Sequence, residues 1–314
     1  MTLAMVYPGQ GSQSVGMLRA LADQHEEVRQ TFSEAGEVLD YDLWDLVQNG
    51  PLERLDNTVV TQSAMLSAGV ACWRAWRGAG GREPSFMAGH SLGEYTALVC
   101  ANALPFADAL RLVRRRAELM QAAAPAGEGA MAAILGLDDE TVIAACERAA
   151  DGQVVSAVNF NAPGQVVIAG GRAAVERAME EARSAGAKRT LLLNVSVPSH
   201  CDLMRPAAEE LSRTLAEIAF ANPAVPVLGN ADVRPYENAV QIRTGLEKQL
   251  YSPVRWVDTV RYLVNLGSRS VIECGPGKVL AGLVKRIDRS VPAACIDSPE
   301  ALQTALGSAG AGAR

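Results

Sequence analysis

The chain has 314 residues, of which 49% are hydrophobic and 20% charged, with a net charge of −6. That size supports a large core and two domains. The acidic balance, with no basic block, argues against nucleic acid, and no apolar run approaches membrane-span length. The first residues, 1–7, are short and lack a basic lead, so no signal peptide is expected. Six cysteines are scattered without a Cys-x-x-Cys pair, which points to reduced thiols in a cytoplasm rather than disulfides or a zinc site.

In chain order, residues 3–7 read as an apolar strand, followed by the loop Pro8-Gly9-Gln10-Gly11-Ser12-Gln13. The loop lacks the third glycine of a dinucleotide fingerprint and the Gly-Lys-Ser/Thr of a phosphate loop, so neither nucleotide reading fits. Helical patterns run over 26–39 and 61–79, the second with an aromatic stripe (Trp73, Trp76) read as core. Residues 85–88 read as a buried strand, and 94–100 as a helix. Between them lies Gly89-His90-Ser91-Leu92-Gly93. Glycine, any residue, serine, any residue, glycine between a strand and a helix is a nucleophile elbow. The turn leaves no room for flanking side chains, so the serine stands alone at a helix N-terminus, where free N–H groups favour negative charge. The following helix, 106–121, buries a stripe from Phe106 to Met120. Its Arg115 points away from that stripe, while Arg114 and Arg116 border it and could reach into a cleft.

Residues 129–196 read as a separate small unit: strands at 130–135, 154–160, 165–169 and 189–195, and helices at 139–150 and 173–185. Asn161-Ala162-Pro163-Gly164 supplies a hairpin turn between the middle strands. The order βαββαβ is the ferredoxin-like unit. The remaining segments, 1–128 and 197–306, alternate strands and helices, with strands at 226–229 and 270–274 and helices at 203–218, 239–251, 257–266 and 279–288; they imply a mostly parallel sheet. The Ala/Gly/Ser-rich tail, 307–314, is expected to be disordered.

A serine hydroxyl needs a base. Of the three histidines, His25 lies in a charged helical region and His90 inside the tight turn, which leaves His200, in the loop Ser196-Val197-Pro198-Ser199-His200-Cys201. Spacing does not identify a third, orienting group: Asp138, Asp151, Asp202 and a backbone carbonyl all remain open.

The elbow GHSLGEYTAL, VYPGQGSQ near the N-terminus, NFNAPGQVVIAG, VSVPSHC, KQLYSPVRW and ECGPGKVL together resemble the bacterial malonyl-CoA:acyl carrier protein transacylases of fatty acid synthesis. The resemblance covers nearly the whole chain in the same order. It implies an α/β-hydrolase-like core with an inserted ferredoxin-like subdomain. It also implies Ser91 as the acylated serine, His200 as its base, and the main-chain carbonyl of Gln249 as the group orienting the histidine. Backbone N–H groups of Gln10 and Leu92 would form the oxyanion hole, Arg116 would pair with the malonyl carboxylate, and Asn159 and Asn161 would line the cleft. The implied partners are malonyl-CoA and an acidic acyl carrier protein, for which Lys188, Arg189, Lys285 and Arg286 are candidate contacts. No metal or other cofactor, no nucleic acid, no membrane and a cytoplasmic monomer are expected. The competing readings are a stand-alone acyltransferase of a polyketide synthase, a serine esterase or thioesterase, and a non-catalytic carrier-protein docking module.

Overall fold

The computed structural model describes residues 2–124, 127–195 and 197–310. Ser196 of the histidine loop and residues 311–314 of the tail lie outside the described set. The strands are β1 (Thr2–Tyr7), β2 (Phe86–Gly89), β3 (Gly129–Leu135), β4 (Val155–Ala162), β5 (Gln165–Gly171), β6 (Arg189–Leu192), β7 (Val227–Leu228), β8 (Ser268–Glu273) and β9 (Ala293–Cys295). Five of them form a parallel sheet in the order β7-β2-β1-β8-β9, and four form an antiparallel sheet in the order β4-β5-β3-β6.

β1 explains the large layer. Its near-continuous apolar run suits a central parallel strand covered on both faces. Leu3, Met5 and Tyr7 enter one core with the helix Thr58–Gly78. Ala4 and Val6 enter a second core with Trp256, Val260, Leu280 and Val284. The two-residue period of a strand therefore places helices on opposite faces of the same sheet.

The antiparallel sheet buries Ala130, Ala132, Ile134, Val166 and Ile168 against the helices Asp139–Ala149 and Arg172–Ser184. Its opposite face places Met131, Val158, Val167 and Ala169 against Cys201, next to His200. β4 is also tied to the large layer: the Phe160 amide donates to the Val254 carbonyl at 3.0 Å, and the Val254 amide to the Val158 carbonyl at 2.8 Å. The small sheet thus roofs the ends of β1 and β2, from which the Gly-rich loop and the elbow emerge.

Several boundaries differ from the sequence reading. The helix read from 61 starts at Thr58, because the Asn57 side chain accepts from the Val59 amide. Asn161 and Ala162 belong to β4, and only Pro163-Gly164 turn, with Gly164 at φ +70°. β6 ends at Leu192, after which the Leu193 amide alone still bonds to Met131. The tail is ordered further than its composition suggests. Helix Pro299–Gly310 takes in its residues 307–310, capped by the Ser298 hydroxyl and anchored by the buried Leu302 and Ala305. Alanine is the best helix former, and two anchored turns suffice to carry the glycines along. β9, too short to show a period, was not legible.

Candidate active site

The elbow is closed by backbone contacts. A Cβ on Gly89 would lie 1.8 Å from the Gly93 carbonyl carbon, and one on Gly93 would lie 2.0 Å from the Tyr7 carbonyl oxygen. Only glycine fits at either place. Ser91 sits at φ +52°, a left-handed backbone that a side-chain-bearing residue adopts at a cost of about 1–3 kcal/mol when its surroundings enforce it. Asn230, just beyond β7, provides that enforcement. Its Oδ1 accepts from the Ser91 amide at 2.7 Å, and its Nδ2 donates to the Gly89 carbonyl at 2.6 Å.

His200 reaches the elbow from 109 residues away. Its Nε2 lies 2.8 Å from Ser91 Oγ, and its Nδ1 lies 2.8 Å from the Gln249 carbonyl oxygen. A carbonyl only accepts, so Nδ1 carries the proton and Nε2 is left to accept from the serine hydroxyl. None of Asp138, Asp151 or Asp202 performs this orienting contact. Asp138 caps the helix Asp139–Ala149, Asp202 pairs with Arg205, and Asp151 occupies an exposed turn. Burial, and then the positive charge of Arg116, push the His200 pKa down to about 3. The imidazole is therefore neutral across the physiological range, with its Nε2 lone pair directed at the serine hydroxyl.

The border position of Arg116 becomes full burial: the residue is 1% exposed. Nη1 donates to Gln62 Oε1 at 2.8 Å, and Nη2 to Gln249 Oε1 at 3.0 Å and to Ser91 Oγ at 3.4 Å. The guanidinium also lies 5.4 Å from the Tyr95 ring centroid. All of these partners are neutral, and among the described residues no carboxylate forms an ion pair with it. A buried cation held only by amides, a hydroxyl and a ring is prepared for an incoming anion. Arg114 and Arg115, by contrast, are exposed and pair with Glu118.

The loop after β1 packs on the elbow, since a Cβ on Gly9 would meet the His90 carbonyl oxygen at 2.6 Å and the Leu92 nitrogen at 3.8 Å. This sets the Gly9-Gln10 loop against the elbow backbone next to the Leu92 amide. Asn161 Oδ1 lies 2.8 Å from His90 Nε2, and the His90 ring packs on Trp256 with centroids 5.5 Å apart. The Asn159 backbone bridges to Val254, and its buried Oδ1 has no hydrogen-bond partner. The structure thus gathers Ser91, His200, Arg116 and Gln249 into one cluster, with Asn161 one contact away through His90. Lys188 and Arg286 meet elsewhere, around a cavity of about 510 Å³ beside the Pro163-Gly164 turn.

Residues 4–300 match the family model described as acyl transferase domain. The chain belongs to the acyl transferase family. This acyl transferase is 55% identical over 303 residues to the malonyl CoA-acyl carrier protein transacylase of Escherichia coli K12, covering 96% of its own length and 98% of the relative's. Among solved structures it is similar to an acyl carrier protein S-malonyltransferase from Vibrio cholerae, with TM-score 0.95, 55% identity and coverage of 97% and 99% of the two chains. It is also similar to a malonyl-transacylase in complex with its type II PKS acyl-carrier protein, with TM-score 0.97, 54% identity and coverage of 98% and 100%.

Four further residues of the acyl transferase site escaped sequence reasoning. Gln62 is one polar residue in a long apolar helix. Asn230 lies just past the strand read at 226–229, with no spacing that points to the elbow. Glu94 reads as an ordinary acidic residue in a first helical turn, and Tyr236 as a loop aromatic. The available signal was the glutamate directly after the second elbow glycine, a place the tight turn turns inward.

Proposed function

We propose that the enzyme moves a malonyl group from malonyl-CoA to the phosphopantetheine thiol of an acyl carrier protein in fatty acid synthesis, by way of a malonyl ester on Ser91. The observation that carries this reading is that one hydroxyl, Ser91 Oγ, meets both the His200 imidazole at 2.8 Å and the Arg116 guanidinium at 3.4 Å. A nucleophile beside a base is common to many hydrolases. A buried cation beside the nucleophile, with no carboxylate in direct contact among the described residues, selects acyl groups that bear a terminal carboxylate.

In the first half, His200 Nε2 takes the serine proton as Oγ attacks the thioester carbonyl. The Gln10 and Leu92 amides receive the oxyanion, each fixed donor contributing about 3 kcal/mol. The tetrahedral species collapses, the C–S bond breaks, and CoA leaves as the thiol with the proton from His200. In the second half, the carrier thiol gives its proton to His200 and attacks the ester, and Ser91 recovers the proton as it departs. The malonyl carboxylate stays on Arg116 throughout. Residues 1–128 with 197–306 act as the catalytic unit and 129–196 as the covering unit. The enzyme works in the cytoplasm as a monomer without metal or other cofactor. Lys188, Arg189, Lys285 and Arg286 are the proposed carrier contacts, supported by the shared cavity of Lys188 and Arg286.

Intact-mass measurement after mixing with malonyl-CoA tests the reading. A malonyl adduct is expected on the wild type, discharged by carrier protein, and absent from Ser91→Ala. Turnover that persists in Ser91→Ala, or rapid release of free malonate in place of an adduct, overturns it. A second reading, service to a polyketide carrier protein, is favoured by the 54% identical structure in complex with such a partner. Comparing the discharge rates by the two carrier classes separates the pathways.

A further inference from the structure

We propose that Glu94 is the positioning residue of this site: its carboxylate sets which way the Gln249 amide points, and so delivers a donor to the Ser91 carbonyl and an acceptor to Arg116. This rests on the acyl-transfer reading for its consequence, though not for its geometry. Glu94 lies in the first turn of the helix Gly93–Cys100 and is fully buried. Its Oε1 accepts from the Tyr236 hydroxyl, and its Oε2 accepts from the Asn230 amide at 2.9 Å and from Gln249 Nε2 at 2.8 Å.

Gln249 is the relay. Its Nε2 also donates to the Ser91 carbonyl at 3.0 Å, its Oε1 accepts from Arg116, and its own carbonyl holds His200. One residue thus touches the nucleophile's backbone, the base and the cation. An amide can rotate by half a turn with little change in shape. The flipped form would aim two N–H groups at the guanidinium and an oxygen at two other oxygens. A charged acceptor holds the productive orientation far more firmly than the Ser91 carbonyl alone could. Through the Asn230 backbone, the same carboxylate also fixes the side chain that braces the elbow.

Glu94 is further the buried negative charge nearest in function to Arg116, with the Gln249 amide between them. The titratable groups facing it are Arg116 from the helix Phe106–Ala123, the Tyr236 hydroxyl beyond β7, and Tyr95 beside it on its own helix, with His200 beyond Gln249. Burial pushes its pKa up to about 7, against the lowering effects of its donors and of Arg116. Protonation there removes the charged acceptor. Burial and Arg116 hold His200 well below the neutral range, so a rate limb near neutrality is assigned to Glu94 and is tested with the Glu94 variant.

The test follows Ser91 in the full-length enzyme against pH with two probes: malonyl-CoA, and phenylmethylsulfonyl fluoride, which has neither a carboxylate nor CoA. In the wild type both rates are expected to rise through about pH 7 to a plateau. Glu94→Gln should show no limb and a rate about tenfold below that plateau, the loss of one charge-assisted contact. Tyr236→Phe, which deletes one stabilising donor and no acceptor, should move the limb to higher pH. An unchanged limb in Glu94→Gln overturns the proposal. Should Glu94→Gln not fold, an unshifted limb in Tyr236→Phe does the same. If malonyl-CoA leaves no adduct while the sulfonyl fluoride shows the Glu94-dependent limb, the malonyl reading fails and the positioning role stands.

Discussion

Replacing Arg116 with alanine should separate malonyl from acetyl transfer. In the wild type the guanidinium would meet the malonyl carboxylate in a buried site, where each charge-assisted hydrogen bond contributes about 1.5–3 kcal/mol. Two such bonds amount to about 3–6 kcal/mol, a loss of roughly 150- to 25,000-fold in the second-order rate of Ser91 acylation. Acetyl-CoA has no group for the cation, so it loses only the long 3.4 Å contact to Ser91 Oγ, a change of less than about tenfold. The alanine variant also leaves the Gln62 and Gln249 oxygens without their donor. That cost falls on both substrates alike, so the ratio of the two rates is the quantity to read. Rapid-quench acylation with each CoA ester, scored by intact mass, gives the ratio directly. Equal losses for the two esters would refute the carboxylate-binding role and make Arg116 a structural cation.

Gly89→Ala should destabilise the fold by more than about 4 kcal/mol, because the new methyl meets backbone at 1.8 Å and no side chain can yield. Gly282→Ala, with open space around its Cβ inside the helix Val279–Ile287, should instead gain about 0.5–1 kcal/mol; thermal melts that place the two variants together would contradict the elbow geometry. His200 has a folded pKa of about 3 against about 6.5 when unfolded. Between those values the unfolded chain binds the extra proton, so stability is fully present above about pH 6.5 and falls as pH drops toward 3, by about 1.4 kcal/mol per unit at most. His200→Gln should flatten that slope in urea titrations, whereas an unaltered slope would mean the imidazole is solvated.

The parts of the site that were legible in the sequence are those whose chemistry is written locally. Gly89, Ser91 and Gly93 declare a tight corner because two missing side chains and one hydroxyl fall within five residues. His200 was reachable by elimination because the chain has so few imidazoles. Arg116 was placed on a border by helical periodicity, but its burial depends on Gln62 and Gln249, which arrive from other elements. Long-range polar contacts leave no spacing in the chain. Asn230 braces the corner from 139 residues away, and the Gln249 carbonyl could be named only through the family resemblance. Burial of a carboxylate is equally silent: Glu94 looks like a routine complement to a helix dipole. For the fold, the strands of the large sheet were visible as apolar runs, and the small unit as an alternation of periods. Short pieces failed, because β9 and the short helices Leu43–Asn49 and Leu52–Leu55 are shorter than the window a period needs.

The stitching of β4 to Val254 bears on how a substrate gets in. Were the roof free to swing, the enzyme could open like a jaw and admit a bulky acyl chain with its carrier. Two backbone bonds, with the His90 ring pressed between Asn161 and Trp256, make such a swing expensive. The small sheet is therefore tied down beside the serine by main-chain bonds as well as side chains, and yields less readily than a layer held by side chains alone.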